Sequence, residues 1–198
     1  MSDTPTLILA SRSGVRAMLL ENAGVHFRVE VSPVDEAAAK ADFGGDGDAL
    51  AVHLAELKAE SVSEQAGQQI VIGADQVLSC NGRLYDKPRH LKEARANLCE
   101  FRGTTHTLHS AVAVARGGKT EWSYVAQAHL TMRDFSDEFV DHYLRRCGEK
   151  IMKSVGCYQL EGPGIQLFER IDGDYFTILG LPLLPLFSHL RQEGALEK

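Results

Sequence analysis

Residues 6–20 read TLILASRSGVRAMLL, and the junction inside that stretch decides the fold. Thr6 to Ala10 suit a buried strand, and a helical pattern begins almost at once after Ser11, Arg12 and Ser13. Strand followed directly by helix is the alternation from which α/β chains are built. A helix start presents unpaired backbone N–H groups, and two serines with Arg12 and Arg16 around it make an anion receptor. The first expectation is therefore a phosphate site at the turn from strand to helix.

The alternation continues outward. The first helix ends near Gly24, and in HFRVEVSP (26–33) Phe27, Val29 and Val31 share one face until Pro33 closes the strand. FGGDGD (43–48) reads as a flexible loop, and apolar residues from Leu50 to Val62 predict a helix over 48–66 that also carries Lys58. QQIVIGADQVLSC (68–80) is a strongly apolar strand meeting a turn at Asn81 and Gly82. A helix follows over 90–101, then two strands joined by Gly117 and Gly118, then a helix for which Ser136 is the N-cap. GIQLFERIDGDYFTILGLP (164–182) predicts a hairpin turning at Asp172 and Gly173, before a last helix ending near Gly194. The architecture expected is α/β with a mixed sheet, in one domain spanning 1–198.

Composition narrows the function. The chain has 198 residues, 44% hydrophobic and 24% charged, enough for a sizeable core. A net charge of -6 argues against a basic nucleic-acid or membrane surface, and only a local cluster would bind anions. No apolar run approaches the roughly 20 residues of a membrane helix, and MSDTPTL lacks the features of a signal peptide, so a cytoplasmic location is expected. Cys80, Cys99, Cys147 and Cys157 show no zinc spacing and are read as free thiols. His106 and His109, the nearest approach to a histidine pair, fall in a strand entry rather than a metal pattern.

Four places put unusual polarity at strand ends. SRSGVR (11–16) is one, and SPVDE (32–36) brings Asp35 and Glu36 just after a strand. In VIGADQV (71–77) Asp75 interrupts an apolar run, and a carboxylate buried there requires a partner. In YDKP (85–88) Lys87 precedes a proline that holds the backbone extended. Together with Lys58 these give an anion-binding set (Ser11, Ser13, Arg16, Lys58, Lys87) and a metal-binding set (Glu36, Asp75). Phosphoryl chemistry uses both: cations neutralise phosphates, while carboxylates hold a divalent ion and position water.

Taken in order, LILASRSGVRAMLL, SPVDE, LAELKAE, VIGADQV, YDKP and GDYFTILGLPL resemble the Maf family of nucleoside triphosphate pyrophosphatases, over nearly the whole chain. The resemblance implies a Maf-like (inosine triphosphatase-like) mixed twisted sheet with flanking helices, in two lobes around a cleft. It implies hydrolysis of a nucleoside triphosphate to monophosphate and pyrophosphate with Mg²⁺, Mn²⁺ or Co²⁺. By position, Asp75 matches the general base, and Ser11, Ser13, Arg16, Glu36, Lys58 and Lys87 match the phosphate and metal site.

Where the family commonly reads Ser-Pro-Arg-Arg or Ser-Pro-Trp-Arg, this chain has Ser13, Gly14, Val15 and Arg16. Val15 thus replaces a residue associated with base selection, although with Met18 and Leu19 it also makes an apolar stripe. Gln76 and Glu161 resemble the branch associated with 7-methyl-GTP, so a guanine-type substrate is expected. A homodimer is compatible with the resemblance, and no nucleic acid or membrane is implied. So is a rival reading, a non-catalytic nucleotide-binding regulator of cell division.

Overall fold

The computed structural model describes residues 7–41 and 43–197; the expectation for Thr6 lies outside them. Seven strands and seven α-helices alternate along these residues: β1 (Leu7–Ala10), α1 (Gly14–Asn22), β2 (Phe27–Val29), α2 (Glu36–Ala41), α3 (Gly47–Ser63), β3 (Val71–Cys80), β4 (Arg83–Tyr85), α4 (Leu91–Phe101), β5 (Thr105–Arg116), β6 (Lys119–Met132), α5 (Asp137–Cys147), β7 (Phe168–Asp172), α6 (Tyr175–Ile178) and α7 (Leu183–Gln192). The strands form one mixed sheet in the order β2-β1-β3-β5-β6-β7, with β4 beside β3. The α/β class with a mixed sheet agrees with the sequence reading.

Contacts divide the chain into two compact units, the first containing the chain as far as Gln76, Ser110–Ala126 and the residues from Asp174 onward, the second Val77–His109 and Gln127–Gly173. In the first, β1 pairs in parallel with β2 and with β3, Ala10 lying opposite Gly73. Strand alternation then sorts the core. Leu7, Leu9, Ile72, Ala74, Val112 and Val114 pack with α1 and α7, whereas Ile8, Ala10 and Val71 pack with Val62 of α3.

Gly73 sets the closeness of that second contact. A Cβ built there would stand 2.2 Å from the carbonyl oxygen of Ala55 and 2.7 Å from the nitrogen of Ala59. Only a glycine lets α3 lie so near β3, and the fully buried Ala55 and Ala59 present the matching small surface.

In the second unit β4 folds back antiparallel on β3 after Asn81 (φ 50°) and Gly82 (φ 76°). Two successive positive φ values make the tight turn that suits strand twist, as the Asn-Gly pair suggests. Gly117 and Gly118 make the equivalent two-residue turn between β5 and β6 in the first unit. The Ser136 hydroxyl accepts from the Phe139 amide at 3.2 Å, so the predicted cap of α5 is present.

Three expectations need correction. No hairpin turns at Asp172 and Gly173: β7 pairs antiparallel with β6 and the chain enters α6, because Asp174 Oδ2 caps the Thr177 amide at 2.8 Å. The strand at 26–33 is confined to Phe27–Val29, since Ser32 turns back to accept from the Val34 amide and Asp35 caps α2. The 43–48 loop is shorter than expected, with Asp46 capping α3 and Gly47 and Asp48 inside the helix.

Candidate active site

The register of β1 against β3 fixes the position of the first helix start. Because Ala10 pairs with Gly73, the chain leaves β1 alongside Ala74 and Asp75. Ser13 N-caps α1, its hydroxyl accepting from the Arg16 amide at 3.4 Å. The amides of Gly14 and Val15, in the first turn, have no intrahelical acceptor. Ser11 Oγ accepts from the Ser13 amide and from Arg16 Nη1, each at 3.2 Å.

Arg16 is buried rather than reaching into solvent. Its Nε donates to the Gly180 carbonyl at 2.7 Å and its Nη1 to the Ala74 carbonyl at 2.9 Å. Nη2 donates to none of the described residues. Burial pulls the guanidinium below its ordinary pKa, opposed by the charges of Asp75 and Glu36. An arginine stays protonated under such conditions, so a fixed cation with one open edge lies beside the helix start.

The partner that Asp75 requires is Lys58. Lys58 Nζ lies 2.5 Å from Asp75 Oδ1 and 2.8 Å from Glu36 Oε1. Lys58 and Asp75 are buried, while the Glu36 side chain is 49% exposed, so the triad opens on the side of Glu36. Asp75 Oδ2 accepts no hydrogen bond from the described residues. Lys58 stands in the buried stripe of α3 with Leu54, Ala55, Ala59 and Val62. The sequence reading placed Lys58 on this helix without recognising that its spacing from Leu54 and Val62 puts it on the buried face. Among the described residues, no three acidic, histidine or cysteine side chains gather to hold a metal ion.

Gln76 follows Asp75 but turns to the other face of β3, as strand alternation demands. Its Nε2 donates to Ser110 Oγ at 2.8 Å and to the carbonyls of Thr177 and Ile178 at 3.2 and 3.0 Å. Two carbonyl acceptors settle which end of the amide is nitrogen. Ser110, fully buried, donates in turn to the Thr177 carbonyl at 2.7 Å. The segment 173–182, part of a matched family motif in which the sequence named no site residue, therefore holds both Arg16 and Gln76 through its backbone carbonyls. Ser110 was not read from sequence at all.

Of the remaining candidates, Val15 is half-buried on α1. Lys87 is exposed after β4 and Glu161 is exposed in the turn before a 3₁₀ helix at Pro163–Leu167, both in the second unit. The four cysteines are free, as expected. His106 and His109 form no metal pair: His106 contacts Tyr158, and His109 contacts Ser79.

The site thus joins a helix start with open amides, a buried arginine and a carboxylate–lysine–carboxylate triad at neighbouring strand ends of an α/β protein. The Maf-like protein family model matches residues 6–193, and the chain belongs to that family. It is 49% identical over 197 residues, 98% of this chain and 99% of the relative, to a Brucella suis protein named 7-methyl-GTP pyrophosphatase. It is 53% identical over 199 residues, 99% of each chain, to a Caulobacter vibrioides protein named nucleoside triphosphate pyrophosphatase. A solved Mycobacterium abscessus structure described as a nucleoside-triphosphatase / dITP/XTP pyrophosphatase aligns with a TM-score of 0.43 at 13% identity over 96% of this chain and 94% of that one.

Proposed function

We propose that the protein hydrolyses nucleoside triphosphates to the monophosphate and pyrophosphate. The observation that carries this reading is the meeting of two buried cations and two carboxylates at one strand end: Arg16 bonds to Ala74, and Lys58 bonds to Asp75 and to Glu36. The names of the relatives support the same chemistry.

In this reading the amides of Gly14 and Val15, the hydroxyls of Ser11 and Ser13 and the open edge of Arg16 receive the triphosphate. Lys58 and Lys87 add charge to phosphate binding. Asp75 Oδ2 accepts a proton from the attacking water. The charges of Arg16, Lys58, Glu36 and Asp75 cancel, so these groups alone do not neutralise a triphosphate. Glu36 and Asp75 touch the same ammonium, so their oxygens are close enough that both would hold one hard cation. Bound between Glu36 and Asp75, a divalent ion would supply charge neutralisation for the triphosphate.

For the base we propose a guanine-type triphosphate, 7-methylated or not. The family resemblance gives base recognition to Gln76 and Glu161, and each carries an oxygen able to accept from a guanine N–H. Glu161 would also favour the ring charge of a methylated guanine. Val15 cannot stack on a base as a tryptophan would, which broadens the range accepted. Assaying pyrophosphate with a panel of triphosphates tests the proposal. The expected outcome is turnover with a higher kcat/KM for guanine-type substrates than for dTTP and UTP, and loss of that preference in Glu161→Gln. Equal values for 7-methyl-GTP and dTTP would overturn the base assignment, and binding without turnover would favour the regulator.

A further inference from the structure

The same two carboxylates were assigned to a metal and the same lysine to phosphate, yet the structure joins all three. Lys58 Nζ sits 2.5 Å from Asp75 and 2.8 Å from Glu36. A divalent ion bound to those oxygens at about 2.0 to 2.6 Å would require the space the ammonium fills, and would repel it. The two cations are therefore alternatives for one position.

We propose that Lys58 keeps the metal position between Glu36 and Asp75 filled until a triphosphate arrives, and that the phosphates draw its ammonium away so that metal enters only with the nucleotide. The inference rests on the nucleotide reading above. Three features carry it. The backbone of Lys58 is fixed, because Ala55 and Ala59 on either side of it are pressed against Gly73. Its side chain is a flexible stem with a rotatable three-donor head, so the ammonium moves while the helix does not. And no third acidic, histidine or cysteine side chain joins the two carboxylates among the described residues, so without phosphate oxygens a metal has few ligands from the protein.

This partner exchange gives Lys58 both contacts in turn. Before binding it satisfies the buried Asp75, which would otherwise be an uncompensated charge. After binding it neutralises phosphate, and the carboxylates it leaves behind face the incoming cation. The exposure of Glu36 gives the route by which the exchange occurs.

Mn²⁺ binding, counted from the electron paramagnetic resonance signal of the free ion, tests the exchange without any turnover. If the site with Lys58 seated is competent for metal less than about a tenth of the time, apparent affinity falls about tenfold. The unaltered protein should then bind Mn²⁺ about tenfold more tightly with an α,β-methylene guanosine triphosphate analogue than without it. Lys58→Met should bind Mn²⁺ about tenfold more tightly than the unaltered protein with no nucleotide present. Lys58→Arg, which retains the charge, should stay weak. Should Lys58→Met fail to fold, the comparison with and without analogue on the unaltered protein decides: equal affinity overturns the exchange. With Lys58→Met folded, Mn²⁺ held no tighter than by the unaltered protein overturns it too. Failure of the analogue to bind, read by calorimetry with Mn²⁺ in excess over the analogue, contradicts the nucleotide reading instead, whichever way the Lys58→Met comparison falls.

Discussion

Two clusters of buried polar side chains, one in each unit, meet burial in opposite ways. In the first unit Lys58 and Asp75 are buried as an ion pair, with Arg16 buried beside carbonyl acceptors. In the second, His106 is fully buried among rings: Phe101 at 5.3 Å, Tyr158 at 5.6 Å and Phe168 at 6.0 Å. Its Nε2 meets Tyr158 Oη at 2.8 Å, while Nδ1 has no partner. Burial pulls His106 down to about 4, so it stays neutral, and the same burial raises the Tyr158 phenol. The first cluster retains charge by pairing it and the second sheds charge. A strongly displaced pKa alone therefore does not mark an active site, since the His106 shift comes from burial among rings.

The largest effect expected on that contrast is at Asp75. Asp75→Asn keeps the shape but cannot take a proton, and kcat should fall by about 10²–10⁴-fold, the range for loss of a general base. Pyrophosphate assays with thermal melts check it, and an active variant removes Asp75 from the chemistry.

The next effect is thermodynamic and confined to the other cluster. His106 has a folded pKa of about 4 against an ordinary 6.5. Between those values the unfolded chain binds the extra proton, so stability is full above pH 6.5 and is lost as pH falls toward 4. The loss attributable to His106 is about 3 kcal/mol at about 1.4 kcal/mol per pKa unit. Urea unfolding from pH 7 to 4 should show His106→Phe losing less than the unaltered protein, with turnover at pH 7 little changed. Identical pH profiles would contradict the charge-shedding description of His106.

Gly73→Ala should cost about 1–3 kcal/mol by overpacking and lower activity as well, because moving α3 moves Lys58. Denaturant titration alongside the assay tests whether the two losses come together. The smallest effect belongs to Ser110→Ala. Gln76 Nε2 would keep both carbonyl acceptors, so stability should change by about 1 kcal/mol. The selectivity between guanine-type substrates and dTTP should nonetheless fall as the amide loosens, a change that a purely structural serine would not produce.

Sequence legibility followed how local each determinant is. The strand-to-helix turn at Ser11–Ser13, the two tight turns and the Ser136 cap lie in a few consecutive residues and were readable. The demand of Asp75 for a partner was also readable, because a carboxylate in an apolar strand needs a counter-charge. Its identification as Lys58 was not, since that contact depends on Gly73 admitting α3. The segment around Asp174 misled because Tyr175, Phe176, Thr177 and Ile178 are strand-favouring residues, while one capping carboxylate selects a helix. The bonding of Gln76 was not legible either, because the groups that hold it come from positions 110, 177 and 178, far from it in sequence.

On the proposed reading, the arrangement around Asp75 cleaves a triphosphate between its α and β phosphorus atoms. Phosphorus NMR of the purified protein with a guanine-type triphosphate and Mg²⁺ or Mn²⁺ reads this directly: monophosphate and pyrophosphate should appear in equal amounts, with no diphosphate. A nucleoside diphosphate with orthophosphate, or an unchanged triphosphate that is nonetheless bound, would contradict it.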